Sequence, residues 1–119
     1  MNIEEARSRS KPGWNKLIDK VYAITELLTF ATVAEVNIRH SMLQIIFEPT
    51  LDKHQQYVLD CIAYKIERES ALTCQDCGIS GVRRKALPGS PNLCTACYAI
   101  QYSDYVESVS PQVTNQEPQ

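Results

Sequence analysis

The sequence predicts a mainly α-helical protein, an antiparallel helical hairpin followed by a small four-cysteine zinc finger with a short β-hairpin and a terminal helix. Two observations predict this fold class. Apolar residues recur at three- and four-residue steps in the first half of the chain, and two Cys-x-x-Cys pairs follow in the second half. These two observations divide the 119 residues into a flexible arm (1–13), the helical hairpin (14–70), the finger (71–103) and a disordered tail (104–119).

Length and composition indicate one domain's worth of protein with an ordinary charge balance. The formal net charge is −2 and 44% of the residues are hydrophobic, so no global basic field draws the chain onto nucleic acid. The most apolar window, 27–34, is far shorter than the roughly 20 residues of a membrane span, and the acidic N-terminus does not resemble a secretory signal. We therefore expect a cytoplasmic protein without a membrane helix, in which paired cysteines bind metal rather than form disulfides.

The first helix is expected to follow a polar arm. Residues 1–13 end in Ser-Lys-Pro-Gly, a composition that disfavours regular structure. An apolar stripe begins at Trp14, and the apolar pattern resumes at Val33 and continues to Phe47, so we expect helix to about Phe47. A weak point is expected at 29–32, where β-branched and aromatic residues lower helix propensity. The stripe consists of Trp14, Leu17, Val21, Ile24, Leu28 and Ala31.

The second helix is expected after a turn at residues 48–52. Pro49 disfavours helical dihedral angles in the residue before it, and Thr50 or Asp52 can cap the helix that follows. That helix should end near Ser70, giving two antiparallel helices that lead into the finger. Its expected buried stripe is Leu51, Val58, Ile62 and Ile66, with Leu59 and Cys61 beside it.

The cysteine pairs carry the clearest chemistry in the chain. Each pair encloses two residues, and about 16 residues separate the pairs, a spacing typical of a closed tetrahedral zinc site. Four protein thiolates leave no coordination position for water or substrate, so we expect one structural zinc ion and no enzymatic activity. A redox-active dithiol would need a βαβ context that the sequence does not show. The predicted ligands are Cys74, Cys77, Cys94 and Cys97.

The loop between the pairs has turn residues at both ends and a short apolar centre, which predicts a β-hairpin. It also carries the basic run Arg83, Arg84 and Lys85. Such a cluster can bind phosphate or an acidic protein surface, and it can equally be a solvated rim. After Cys97 the sequence predicts a short helix over 98–102, and beyond about Glu107 a polar, proline-containing tail.

Within residues 72–102 the chain resembles the four-cysteine finger of the TraR/DksA proteins, especially the short plasmid and phage TraR-like branch. The resemblance rests on Cys-x-x-Cys-Gly at 74–78, Val-Arg-Arg-Lys at 82–85, Pro-Gly at 88–89 and Leu-Cys-x-x-Cys at 93–97, followed by Tyr-Ala-Ile-Gln. It implies binding to bacterial RNA polymerase at its secondary channel, with a helical element directed toward the active site. The family's acidic tip, Asp-x-x-Asp-x-Ala, has no counterpart, and Glu48 and Asp52 are the carboxylates that would serve as a tip.

The leading hypothesis is therefore a cytoplasmic, non-enzymatic regulator that binds RNA polymerase and modulates transcription. Arg83, Arg84, Lys85, Glu48 and Asp52 are the predicted partner-binding residues. An alternative is an interaction or inhibitor module that acts on another macromolecular complex, with zinc purely structural. A third is a DNA-binding finger, since 93–97 is also similar to the second knuckle of GATA-type fingers. Residues 102–119 contain no Lys or Arg to add phosphate contacts, which disfavours DNA binding.

Overall fold

The structure is a computed structural model that describes residues 1–116, with side chains described as far as Val109. About half of the chain is helical, and two small antiparallel hairpins supply the strands. The first part, which we call the body, contains α1 (Ile3–Ser8), α2 (Asn15–Leu27), β1 (Val33–Arg39), β2 (Met42–Phe47) and α3 (Lys53–Ala71). The second part, the finger, contains β3 (Val82–Arg83), β4 (Asn92–Leu93) and the start of α4 (Thr95–Gln116).

The segment 33–47 is a β-hairpin, and the prediction that the first helix continues to Phe47 is wrong. α2 ends at Leu27, just before the predicted weak point. β1 and β2 pair antiparallel from Val33 opposite Phe47 to Arg39 opposite Met42, with a bulge between Val33 and Glu35. The two expected helices are present as α2 and α3, but a sheet lies between them in the sequence.

The body is built around one apolar core. α3 packs along β2, and α2 contacts both the N-terminal residues and α3. The alternating side chains of β2 point into this core, as the period of a half-buried strand requires. The most deeply buried large side chains of the body are those of Trp14, Ile18, Val21, Val36, Leu43 and Leu59.

The predicted helical stripes are partly confirmed. Leu17 and Val21 of α2 are buried, as are Leu59 and Ile66 of α3. Leu51, predicted as the first buried residue of the second stripe, is fully exposed because it lies in the turn before α3 begins.

The N-terminal residues are structured, so the prediction of irregular structure for 1–13 is wrong. Asn2 caps α1 by accepting a hydrogen bond from the Glu5 N–H at 2.8 Å. Ala6 is completely buried, and an ion pair joins Arg7 to Asp19 of α2. A 3₁₀ turn, Pro12–Trp14, then leads directly into α2.

The final helix is longer than predicted. α4 runs from Thr95 to Gln116, so residues 104–109, predicted to begin a disordered tail, are helical. The last residues of that predicted tail, 117–119, lie outside the described residues. None of the helices in the described part of the chain is both long and apolar enough to cross a membrane.

Candidate metal centre

The four predicted ligands converge on one point in the finger. The Sγ atoms of Cys74, Cys77, Cys94 and Cys97 all lie within 4.8 Å of one another. The sulfurs of Cys77 and Cys94 are 3.6 Å apart. A tetrahedral zinc site with Zn–S bonds of about 2.3 Å separates its sulfurs by about 3.8 Å, so the cluster has the dimensions of a metal site.

Two tight backbone turns present the thiols. In the first, the Gly78 N–H donates to the Cys74 carbonyl at 3.0 Å, and Gly78 has a positive φ of 88° that other residues rarely adopt. In the second, the Cys97 N–H donates to the Cys94 sulfur at 3.3 Å. This N–H at the first turn of α4 orients the sulfur and stabilises negative charge on it. Each Cys-x-x-Cys pair therefore has its own scaffold.

The electrostatics of the cluster favour a bound cation. Burial raises the pKa of the Cys74 thiol, but hydrogen bonds from the backbone of Cys94, Cys77 and Asp76 together have the larger, opposite effect. The net result is a pKa lowered to about 6. Hydrogen bonding to Cys94, together with burial and the nearby Cys74, raises the pKa of Cys97 above its ordinary value. The pKa of one thiol is thus lowered and that of another raised, mainly through the hydrogen bonds within the cluster and through burial. A divalent cation stabilises all four thiolates together.

The finger has only a small apolar core beside the cysteines. Leu87 and Leu93 are buried with Cys74 and Cys94, and Tyr98 packs against them. β3 and β4 pair through two residues each, which confirms the predicted short hairpin. So few apolar side chains bury little surface, and the metal site is the principal feature that can hold the finger in one conformation.

The predicted basic cluster separates into two kinds of residue. Arg84 is half-buried, donates through Nε to the Leu93 carbonyl at 3.1 Å, and lies over the Tyr98 ring with 4.6 Å from Cζ to the centroid. This guanidinium joins β4 to α4 and contributes to packing. Arg83 and Lys85 are exposed, so they are the members of the cluster that a partner can reach.

The predicted tip residues lie at the other end of α3. Asp52 caps this helix by accepting a hydrogen bond from the Gln55 N–H at 2.9 Å, which confirms one of the two caps considered from the sequence. Glu48 is exposed. Because α3 has 19 residues, about 28 Å of helix separates this turn from the finger. The five predicted partner-binding residues therefore do not form one patch.

Sequence reasoning missed the residues that join the finger to the body. Trp14 is completely buried, and its indole N–H donates to the Thr73 carbonyl at 3.1 Å. The Gly13 N–H donates to the Gln75 carbonyl, inside the first cysteine pair, at 2.7 Å. The signal for an ordered N-terminus was Asn2 with Glu4 and Glu5 in the first helical turn, a recognisable helix start.

A second junction involves the turn between β1 and β2. Asn92 is 2% exposed, and its side-chain amide donates to the Ser41 carbonyl at 2.5 Å and to the Ser70 carbonyl at 3.3 Å. Ser41 in turn donates through Oγ to the Gly89 carbonyl at 2.7 Å. The finger is thus joined to the hairpin turn and to the end of α3 by polar contacts that centre on the buried side chain of Asn92.

Comparison of the chain with protein-family models, with curated proteins and with solved structures found no match. The candidate site therefore rests on the geometry of the four cysteines and on the chemistry of thiolate ligands.

Proposed function

We propose that this chain is a non-enzymatic zinc-finger regulatory protein of the cytoplasm that binds bacterial RNA polymerase and modulates transcription. The observation that supports the proposal is the closed four-cysteine cluster, set in a finger whose sequence resembles that of the TraR/DksA proteins. In this proposal the finger is a rigid binding element, and one metal ion gives it its shape.

The metal is zinc, and its role is structural. Four thiolates in a tetrahedral arrangement are the ligand set typical of structural zinc. When all four positions are protein sulfurs, the metal has no open position at which to activate water or polarise a substrate. Cys74, Cys77, Cys94 and Cys97 hold the ion, and metal-binding free energy becomes folding free energy for the finger.

The exposed face of the finger suits a protein partner. Arg83 and Lys85 supply positive charge, and the neighbouring Val82 is 49% exposed on the same strand. Ile79, which precedes them in the finger, is 60% exposed. Exposed apolar side chains beside charged ones are common in protein interfaces, where the charges guide association with an acidic surface.

The test is binding to purified bacterial RNA polymerase, followed by measurement of promoter-complex lifetime. Reversing both exposed charges in Arg83→Glu/Lys85→Glu should weaken binding and abolish the change in lifetime. Lys16→Glu/Lys65→Glu is the matched control, since both lysines are exposed and lie on the body. Arg84 is unsuitable for this test because its loss would also disturb the finger. No binding of the unmodified protein, or equal loss in the control, would contradict the proposal.

A second candidate is an interaction or inhibitor module that acts on another macromolecular complex. It is favoured by Tyr57 and Tyr64, which are 67% and 61% exposed and lie two turns apart on α3, outside the finger. Affinity capture from a bacterial lysate distinguishes the two candidates. Recovery of the large polymerase subunits supports the first, whereas recovery of another complex that is lost in Tyr57→Ser/Tyr64→Ser supports the second.

A further inference from the structure

The backbone of Gly13 lies directly against the first cysteine pair. A Cβ atom added at this glycine would be 2.0 Å from the Cys74 carbonyl oxygen and 2.5 Å from the Gln75 carbonyl carbon. A Cβ atom added at Gly78 would in turn lie 3.1 Å from the Gly13 carbonyl oxygen. The turn 74–78 and residue 13 therefore fit together with no room for a side chain at residue 13.

Trp14 connects the first cysteine pair with the body. Its indole N–H donates to Thr73, the residue before the first ligand, while its ring belongs to the same apolar cluster as Ile18 and Leu43. Trp14 also immediately precedes α2. One side chain thus contacts both the metal-bearing loop and the core of the body.

The surface that residues 13 and 14 contact depends on the metal. The turn 74–78 has two of its five residues as ligands, and the apolar core beside it is small. Without a metal, a segment with so little buried apolar surface does not keep one conformation. The carbonyl groups of Thr73 and Gln75 would then no longer be held in the positions that Gly13 and Trp14 require.

We propose that the metal centre acts as a latch on the entry segment, which we define as residues 10–14: metal binding fixes this segment against the first cysteine turn, and metal loss releases it, while α1 stays attached to the body through contacts such as that of Tyr22 with Met1. This inference rests on the proposed metal site and extends its effect beyond the finger. It makes metal occupancy a conformational switch at the entry to α2. By linkage, the docked segment must also strengthen metal binding.

The first test uses the only tryptophan in the chain as the probe. The purified zinc-loaded protein is compared with the protein after chelation, by Trp14 fluorescence and by amide hydrogen exchange. We expect a red shift of the emission, greater quenching by acrylamide, and loss of protection in residues 10–14 as well as in 74–97. Re-addition of zinc should reverse all three changes.

The outcomes separate this inference from the metal site on which it rests. Loss of protection confined to 74–97, with unchanged Trp14 emission, would overturn the latch and leave the structural metal in place. A protein that binds no zinc, or whose finger amides are unaffected by chelation, would contradict the metal site itself.

Linkage gives a second test through a residue that is not a ligand. Gly13→Ala should weaken zinc affinity by about 5- to 150-fold, the usual range of coupling between sites, because the added methyl group displaces the first cysteine turn. The control is Lys16→Ala, an exposed position in the same region, which should leave affinity unchanged.

Trp14→Phe keeps the test informative if Gly13→Ala does not fold. It retains an aromatic ring in the core but removes the N–H that donates to Thr73, together with part of the buried ring. Loss of one hydrogen bond should weaken zinc affinity by about 2- to 10-fold. Unchanged affinity in a folded Gly13→Ala protein, or in Trp14→Phe where that variant alone folds, would overturn the latch.

Discussion

The body and the finger differ in what fills their interiors. In the body, large apolar side chains such as Ile18, Leu43 and Leu59 are almost completely buried between two helices and a hairpin. In the finger, the buried apolar cluster consists of two leucines and two of the four clustered cysteines. Removal of apolar surface from water can therefore stabilise the body, whereas the finger contains a four-cysteine cluster that could hold a metal ion, and in the proposed site the metal–thiolate bonds stabilise it.

The junction between the two parts is polar and partly buried, which couples their stabilities. Asn92 of β4 bonds to carbonyl groups of Ser41 and Ser70, and Trp14 bonds to the carbonyl of Thr73. The Ser41 carbonyl would lose the Asn92 donor if the finger moved away, whereas the Ser70 carbonyl also accepts from the Thr73 N–H. Substitutions in the body, in the finger and at the junction should therefore have distinguishable effects.

The largest effect is expected from removing a metal ligand. Cys94→Ser replaces a buried thiolate that contributes to the four-sulfur site, and structural zinc sites contribute on the order of 10 kcal/mol to the folding of small metal-dependent domains. We expect zinc content to fall from about one ion per chain to well below one and the amides of 74–97 to lose protection from hydrogen exchange. Elemental analysis and exchange mass spectrometry measure both effects.

Cys61 provides the control for this substitution. It is the one cysteine of the five that is not a member of the cluster, and it lies on α3. Cys61→Ser should retain the metal. A Cys94→Ser protein with full zinc content and a protected finger would contradict the four-ligand site.

The next effect concerns the body alone. Leu43 is completely buried on β2, so Leu43→Ala should lower the free energy of unfolding by about 2 to 5 kcal/mol through lost burial and a cavity. Ile38 lies opposite Leu43 on the same hairpin but is 40% exposed, so Ile38→Ala should cost much less. Urea denaturation followed by circular dichroism measures the difference. Equal losses would contradict the inward orientation of β2.

The cysteine finger was predictable because its chemistry is local. Two ligand pairs at a fixed spacing define a metal site without reference to the rest of the chain, and the structure brings those four residues together. The short hairpin between the pairs and the cap at Asp52 were predictable for the same reason, since turn and cap preferences act over a few residues.

The β-hairpin at 33–47 was not predicted because its apolar spacing resembles that of a helix and its turn lacks the usual sequence signal. The bulge after Val33 places both Val33 and Val36 in the core, a spacing of three that mimics a helix. The turn consists of His40 and Ser41, both with positive φ, and lacks the Asn-Gly or Asp-Gly signal that usually marks such turns. The alternation of Leu43, Ile45 and Phe47 was the remaining evidence for a strand.

The contacts between the finger and the body were not predictable, because they join residues far apart in the sequence. Gly13 and Gln75, or Ser41 and Asn92, become neighbours only after the chain has folded. A proline and a glycine at 12–13 predicted an irregular segment, and the value of glycine there is instead its close approach to the Cys74 carbonyl.

An intermediate effect is expected at the junction. Asn92→Ala removes the side-chain donor to the Ser41 carbonyl and one of the donors to the Ser70 carbonyl, which still accepts from the Thr73 N–H, and should lower the free energy of unfolding by about 1 to 3 kcal/mol. Asn15→Ala, at an exposed site, should change it by less than about 0.5 kcal/mol. Thermal unfolding of the zinc-loaded proteins measures both. A junction that contributes nothing would give the same stability for the two variants.

The smallest effect distinguishes structure from partner binding in the turn before α3. Asp52→Ala removes the side chain that caps this helix and should lower the free energy of unfolding by about 0.5 to 2 kcal/mol. Glu48→Ala removes an exposed carboxylate that makes no cap and should change stability by less than about 0.5 kcal/mol. If these carboxylates also form a binding tip, both variants must weaken binding to RNA polymerase although only one is destabilised. Weaker binding by Asp52→Ala alone, in proportion to its lost stability, would assign the turn to the body and leave the finger as the binding element.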